Sequence, residues 1–301
     1  MIAPVVLSLG AGVQSTALAL LSIEGYLPPL DCAIFADTGW EPPAVYEQLR
    51  RISGALAAVG VPTHIVSNGN IRSDALSDGR FASMPLHMKG DAGNGMGRRQ
   101  CTKEYKLVPI KRKIRELLGA TPYVTKGGQA SVRRVGGRPG VKHVEMWVGI
   151  STDEFERQKP ADVKYIRRVD PLIDILNMSR EDCAAYLAER WPWPVERSAC
   201  IGCPFHDNEE WRHMRANDPD SFADAVEFDV QIRSRGLGTF KSEAYLHEDR
   251  VPLADADLSK LTKREKARLQ GVLDFGRPGC SPWGCPSASN PTPVDLTERA
   301  A

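Results

Sequence analysis

The sequence predicts an α/β protein built on a doubly wound, mostly parallel sheet, followed by a cysteine-containing, mainly helical region. Three observations carry that expectation. Short apolar runs alternate with helix-spaced segments through the first third of the chain. A glycine-rich stretch, Ser8-Leu9-Gly10-Ala11-Gly12-Val13-Gln14-Ser15-Thr16, stands where the first strand would hand over to the first helix. Five of the seven cysteines sit beside glycines, prolines or basic residues, most of them late in the chain. Strand, helix and strand repeated with short joints is the pattern of a parallel sheet covered on both faces.

Pro4 to Leu9 is a valine- and leucine-rich run suited to a strand buried on both sides. Gln14 to Glu24 carries Leu18, Leu21 and Ile23 at helical spacing, and Gly25 closes it. Cys32 to Ala36 reads as a second strand, and Pro42 and Pro43 open a helix running to about Val59, a first-turn proline being tolerated. Thr63 to Val66 reads as a third strand. From Arg72 to Gln100 the periodicity fails, and residues 91–97 have the glycine content of a loop or lid. Lys106 to Leu118 is a basic helix with Pro109 near its first turn; Val144 to Ile150 is a further buried strand; Ser179 caps a helix ending at Arg190. Helices are expected at Glu209–Arg215, Ser221–Arg235 and Thr262–Leu273. The domain division expected is an α/β unit over 1–195, a cysteine-rich helical region over 196–288 and a tail over 289–301.

With 301 residues the chain is long enough to bury a full core. Its formal net charge of +1 excludes a globally basic coat for nucleic acid while leaving room for a local patch. No stretch approaches the roughly 20 continuous apolar residues of a membrane span, and the N-terminal residues lack a signal-peptide pattern, so a soluble cytoplasmic location is expected. An odd cysteine number does not suit a secreted disulfide scaffold. Cys32 and Cys183 fall in apolar strand-like and helix-like runs and read as packing thiols.

The glycine-rich loop comes first among the chemistry-bearing motifs. Gly10, Gly12, Ser15 and Thr16 at a strand-to-helix joint bring free backbone amides and hydroxyls to a place where an anion can dock, with Ser8 at the strand end and Gln14 in the first turn. It is neither a Walker loop nor a dinucleotide fingerprint. Asp37-Thr38-Gly39-Trp40-Glu41 follows the second strand, so both loops would meet at the carboxyl edge of the sheet, where ligands bind in open α/β folds. Asp37 there suits Mg²⁺ or a ribose hydroxyl; Asp37 or Thr38 would equally serve as a helix cap.

These residues resemble the PP-loop ATP pyrophosphatase superfamily, and within it the phosphoadenosine phosphosulfate (PAPS) reductase-like family. Ser8–Thr16 is similar to the pyrophosphate loop, and Phe35–Glu41 with Tyr46 to the second motif. Cys101, Lys106 and Pro109 resemble a later segment, and Gly149, Glu154 and Arg157 the block that follows, with Pro171–Asp174 and Ser179 after it. The resemblance spans roughly residues 4–205 and implies an adenine nucleotide alpha hydrolase-like fold binding ATP with Mg²⁺. It departs at Gln14, where the family places an aspartate, and at Ser151 and Phe155, where it places arginine and serine. The Glu-Cys-Gly tail of true PAPS reductases is missing. Metal handling is then expected to fall to Asp37, pyrophosphate binding to the loop with Thr38, Gly39 and Glu154 completing the nucleotide site, and charge neutralisation to Lys106 and Arg157.

Cys200-Ile201-Gly202-Cys203-Pro204 is a metal-type pair on one turn, with Cys280 and Cys285 as a second pair. Spacing alone leaves open a zinc site on these four, free thiols, or a cluster. By resemblance the favoured assignment is a [4Fe–4S] cluster on Cys101, Cys200, Cys203 and one of Cys280 or Cys285, Cys101 also being a candidate for the catalytic set. Lysines and arginines crowd the segment 98–142, which can face nucleotide phosphates, a nucleic-acid backbone such as tRNA or DNA, or solvent. The expected activity is adenylation of a substrate with release of pyrophosphate, followed by sulfur transfer, with a sulfur-donor protein as a further partner. The alternatives are a thiol-dependent sulfonucleotide reductase and a non-catalytic nucleotide- or nucleic-acid-binding module with structural zinc.

Overall fold

Valine, isoleucine and alanine dominate the strands of the central sheet because both of its faces are covered. The computed structural model describes residues 3–78, 84–90, 93–128, 130–133, 143–239, 242–262 and 265–266. In it the strands β1 (Val5–Ser8), β2 (Cys32–Asp37), β3 (Thr63–Ser67), β8 (Val144–Val148) and β9 (Ile166–Val169) form one sheet in the order β3-β2-β1-β8-β9, every neighbour parallel. Alternate residues divide between two apolar layers. Leu7, Ala33, Phe35 and Trp147 face one, with α1 (Val13–Ile23), α2 (Pro43–Ala58) and α6 (Arg180–Arg190). Val6, Ile34, Met146 and Val148 face the other, with Ile110 and Ile114 of α4 (Val108–Leu117). This period-two division with helices on both sides is the doubly wound arrangement expected.

Strand order reverses at β1. The chain runs outward through β2 and β3, then returns to the other side of β1 as β8, so the loops after β1 and β8 diverge and leave a crevice at the carboxyl edge. Gly149, just past β8, permits the closest approach there: a Cβ at this position would lie 2.9 Å from the Ser15 amide nitrogen. Any side chain would push the β8 loop off the first turn of α1.

The structure adds elements where periodicity was weak. A short helix, α3 (Ile71–Leu76), is followed by β4 (His87–Gly90) and β5 (Gly93–Met96), which with the late strand β10 (Glu243–Tyr245) make a small antiparallel sheet ordered β10-β4-β5. The lid expected over 91–97 is therefore in part a strand; residues 91 and 92 lie outside the described set. Its glycines hide the strand from a pattern search, because pairing there is set by the partner strand rather than by side-chain alternation. β6 (Thr121–Val124) and β7 (Ala130–Arg133) form a separate hairpin. The basic helix starts earlier than its pattern, as a π-helical turn over Thr102–Leu107 running into α4. A 3₁₀ turn, Thr152–Arg157, and the short helix α5 (Pro171–Asp174) flank β9.

Capping boxes at Ser179 and Asp207 start α6 and α7 (Asn208–Asn217), and α8 (Pro219–Thr239) follows. These last helices pack with segments from the first half of the chain. Trp211, Phe228 and Ile201 share one apolar cluster with Trp40, Ile71, Leu86 and Tyr105, so segments on both sides of residue 195 build it together. Gly202 allows this union, because a Cβ there would overlap the Trp40 ring, while the Ile201 amide donates to the Trp40 carbonyl at 2.9 Å. Of the helix expected over 262–273, residues 263, 264 and 267–273 are outside the described set. Among the described residues no helix is long and apolar enough to cross a membrane.

His247 ties β10 to α7 as a neutral imidazole. Its Nε2–H donates to Asn208 Oδ1 at 2.7 Å, and its Nδ1 accepts the Asp249 amide at 3.2 Å. Burial pushes its pKa below the ordinary histidine value, against the pull of Asp249, Glu248 and Asp229. The unfolded chain thus takes up this proton first, and the contribution to stability, full above about pH 6.5, is lost as pH falls below it. We expect the urea midpoint of His247→Gln to vary less between pH 7.5 and 5.5 than that of the natural chain (about two units around the histidine range). Identical pH slopes for the two proteins would refute the assignment.

Candidate functional site

The glycine-rich loop leaves β1 at Ser8 and enters α1 at Val13, with Gly12 in the cap position and no side chain capping it. Ala11 sits at φ +55°, in the left-handed region, and so carries backbone strain inside the turn. The Ser15 hydroxyl closes the loop internally: it accepts the Gly10 amide and donates to the Gly12 carbonyl, both at 3.2 Å. Thr16 is fully buried, and its hydroxyl accepts from Gln48 Nε2 of α2 at 3.2 Å. It braces the loop from behind. The open donors at this joint are the first-turn amides of an 11-residue helix that carries no acidic residue in that turn.

Gln14 points across the crevice. Its Nε2 donates to Glu154 Oε2 at 3.1 Å and Ser151 Oγ at 3.4 Å, and its Oε1 accepts from Arg180 at 3.4 Å. One carboxamide, with both donor and acceptor ends, therefore joins the β1 loop, the segment after β8 and the start of α6. An aspartate could only accept, and it would face Glu154. Glu154 is 2% exposed and paired with Arg157 through a short contact. Burial pushes its carboxyl above the ordinary range while Arg157 and Arg180 pull it back. Ser151, Arg180 and Gln48 were not among the expected site residues. Gln14 and Ser151 are both departures from the family pattern, and the structure pairs them, whereas no sequence signal marks Arg180.

Asp37, at the end of β2, lies beside this crevice. Its Oδ1 accepts the Gly39 amide at 2.7 Å and the Tyr46 hydroxyl at 2.8 Å. Burial, and then donation to Asp37, push the Tyr46 hydroxyl well above its usual pKa. Among the described residues the other Asp37 oxygen accepts no hydrogen bond, which leaves a half-buried acceptor at the sheet edge.

The same loop reaches the cysteines through Glu41, which is 3% exposed. Glu41 Oε1 accepts from Thr38 Oγ1 at 3.0 Å, meets Lys106 Nζ at 3.7 Å and lies 3.6 Å from Cys200 Sγ. Thr38 Oγ1 is also 3.3 Å from that sulfur. Around the turn, His87 meets the Pro204 carbonyl at 3.1 Å, and His206 Nε2 meets the Cys200 carbonyl at 3.0 Å. Burial drives His206 down to about 4, so its ring is neutral at pH 7. Arg99 stacks over Phe205, 4.7 Å from the ring centre. Cys101 packs against the apolar cluster that includes Ile201 of this turn. Cys101, Cys200 and Cys203 are half-buried, whereas Cys32 and Cys183 are buried with pKa values raised to about 12 by desolvation. Cys280 and Cys285 lie outside the described residues. Among the described residues, the one trio of histidine, cysteine or acidic ligands within 4.8 Å of one another is Asp207, Glu209 and Glu265, and Asp207 and Glu265 serve there as helix caps.

Both cations expected at the phosphates are held by carboxylates, Lys106 by Glu41 and Arg157 by Glu154. The basic segment is also largely engaged: Lys111 bonds Asp162 at 2.6 Å, Arg112 the Ser67 carbonyl at 2.8 Å, and Lys113 lies 3.5 Å from Glu116. Lys103 and Lys126 are exposed. Arg134, Arg138 and Lys142 fall outside the described residues.

No protein-family profile and no curated protein matches this chain. Among solved structures it is similar to the U34-tRNA thiolase NcsA from Methanococcus maripaludis with its [4Fe-4S] cluster, over 91% of this chain and 84% of that one, with a TM-score of 0.35 and 15% identity. The α/β assignment itself rests on the strand order and the two covered faces described above.

Lys106 is 7% exposed and Glu41 1% at their side chains, so removing one partner leaves an uncompensated buried charge. Lys106→Met should cost about 3–5 kcal/mol in urea unfolding. Adding Glu41→Gln should return much of that loss. Simple additivity of the two substitutions would show that the ion pair is not what holds this loop.

Proposed function

We propose that the protein is an ATP-binding enzyme that adenylates an acceptor, releases pyrophosphate and prepares the acceptor for sulfur transfer. The observation that carries this reading is the convergence of three segments at one sheet edge. The amides at the start of α1, the Asp37 loop and the Ser151–Arg157 segment surround the β1/β8 crevice, and Thr38 links that crevice to Cys200 at 3.3 Å. The resemblance of these same segments to PP-loop enzymes points to the same ligand.

In this reading Gly10, Gly12 and the α1 amides receive the pyrophosphate portion of ATP, with Ser15 fixing the loop's shape and Ser8 and Thr16 its base. Asp37 offers its second oxygen to Mg²⁺ or a ribose hydroxyl, and Thr38 and Gly39 shape that wall. Arg157 has five donors and can hold Glu154 while donating to a phosphoryl oxygen. Lys106 acts at longer range, because Glu41 claims its ammonium. Release of pyrophosphate separates charge as the acceptor oxygen forms its bond to the α-phosphorus, and the amides and guanidinium lie ready for the departing oxygens.

Cys101, Cys200 and Cys203 suit a [4Fe–4S] cluster in donor type and partial burial, although their sulfurs do not all lie within 4.8 Å of one another, with Cys280 or Cys285 as the fourth ligand; zinc is the competing metal. Such a cluster would supply iron able to bind sulfur. Of these thiols, half-buried Cys200 lies 3.3 Å from Thr38 of the Asp37 loop. A nucleic-acid acceptor such as tRNA would meet the exposed Lys103 and Lys126.

Calorimetry with ATP tests the core of the proposal. Binding is expected in the presence of Mg²⁺. Asp37→Asn should weaken it roughly 10-fold or more, about 1.4 kcal/mol, and Gly12→Val should weaken it by pressing its branched side chain on Ser198 and shifting the loop. Incubation with acceptor RNA should then yield AMP and pyrophosphate. Sulfite release from a sulfonucleotide instead would favour the reductase, and absence of any ATP binding would sink the nucleotide reading.

A further inference from the structure

A carboxylate oxygen has about two acceptor sites. Asp37 Oδ1 fills both, with the Gly39 amide at 2.7 Å and the Tyr46 hydroxyl at 2.8 Å. Its Oδ2 accepts nothing among the described residues and is not sealed from water. No lysine, arginine or histidine among the described residues pairs with Asp37, whereas Lys106 answers Glu41. Asp37 therefore brings to the sheet edge an unanswered charge and one open oxygen. We infer that Tyr46 sets which divalent cation the site accepts, by restricting Asp37 to a single ligating oxygen. The inference rests on the nucleotide reading above, in which Asp37 offers that oxygen to Mg²⁺.

The fold holds both donors in place. Gly39 stands at φ +72°, which turns its amide back onto the side chain two residues earlier. Asn70 Nδ2 donates to the Gly39 carbonyl at 2.6 Å and pins that turn. Tyr46 lies in the first turn of α2, where Pro43 and the Val45 amide bonded to the Pro42 carbonyl fix the helix start. A phenol has one proton and a carboxylate can only accept, so the direction of the bond is set. Burial, and then this donation, raise the Tyr46 pKa, and the hydroxyl keeps its proton at neutral pH.

Ligation through one oxygen separates the two common hard ions. Mg²⁺ demands near-ideal octahedral geometry and is held by one or two carboxylates, substrate phosphates and water. Ca²⁺ takes about six to eight oxygens in a flexible shell and can use both oxygens of one carboxylate. With Oδ1 filled, Asp37 suits the first ion and denies the second its chelate. Removing the Tyr46 hydroxyl frees one site on Oδ1 while the ring stays in place. Tyr46 is thus a positioning residue, acting through Asp37.

The test is calorimetry on the full chain with ATP at saturating Mg²⁺ or Ca²⁺, for the natural chain and for Tyr46→Phe. The natural chain should bind ATP more tightly with Mg²⁺. In Tyr46→Phe that preference should shrink several-fold, through tighter binding with Ca²⁺. A merely structural contact, once lost, would weaken binding with both ions alike; an unmoved ion ratio in Tyr46→Phe would therefore overturn the inference. Equal affinity with the two ions in the natural chain would overturn it as well. Asp37→Asn tells this failure from that of the wider reading. Absent ATP binding sinks the nucleotide reading and the inference with it. Binding that falls in Asp37→Asn, beside an unmoved ratio in Tyr46→Phe, sinks the inference alone.

Discussion

A single buried carboxylate holds the two halves of this site together. Glu41 lies almost wholly out of water, where an ionised group is tolerated only with close partners. It finds them on three separate pieces of chain: Thr38 in its own loop, Lys106 in the π-helical turn before α4, and Cys200 in the late cysteine turn. The pieces must therefore assemble together or leave a charge stranded. Trp40, next to Glu41, adds the apolar counterpart by packing where only Gly202 could stand and by sharing a cluster with Trp211 and Phe228. Sheet edge and cysteine turn are thus joined by one electrostatic and one steric requirement, met by adjacent residues.

A second buried carboxylate plays the corresponding part across the crevice. Glu154 receives Gln14 and Arg157, and Gln14 passes the connection on to Arg180. The crevice at the β1/β8 reversal is the place where the backbone cannot bridge itself, because neighbouring loops depart in opposite directions. Gln14 is the side chain that spans it, and Gly149 lets the spanning segments come within contact of each other. A residue that looked like a defect in the loop's pattern proves to have its own work, which an acceptor-only aspartate could not do beside Glu154.

The parallel sheet was legible in the sequence because its signal is strong and local. Cys32–Ala36 is an unbroken apolar run, Val144–Ile150 is broken only by Glu145 and Gly149, and Gly25 and Ser179 mark helix ends by backbone chemistry. β5 was not legible, since Gly93 and Gly95 give no alternation and the strand exists through pairing with β4. The position of the cysteine turn was legible in part: the pair at Cys200 and Cys203 announced itself, whereas its attachment to Thr38 and Glu41 joins residues some 160 apart in sequence. No local pattern encodes that distance. For the same reason Lys106 and Arg157 read as free cations in sequence, and only the fold reveals the carboxylates that claim them.

That last difference changes what must hold an anion in the crevice. With Lys106 turned to Glu41 and Arg157 to Glu154, side-chain charge at the loop is largely balanced before any ligand arrives. What remains is the start of α1, which no side chain caps and which carries no acidic residue of its own in the first turn. A helix of this length presents roughly half a positive charge there, directed by amides whose positions the Ser15 hydroxyl and the buried Thr16 fix in advance. Preset dipoles of this kind need little rearrangement when charge builds on a departing group. The strained Ala11 fits the same logic: the loop is held in one shape by its surroundings, and the paired side chains do the holding while the α1 amides stay open.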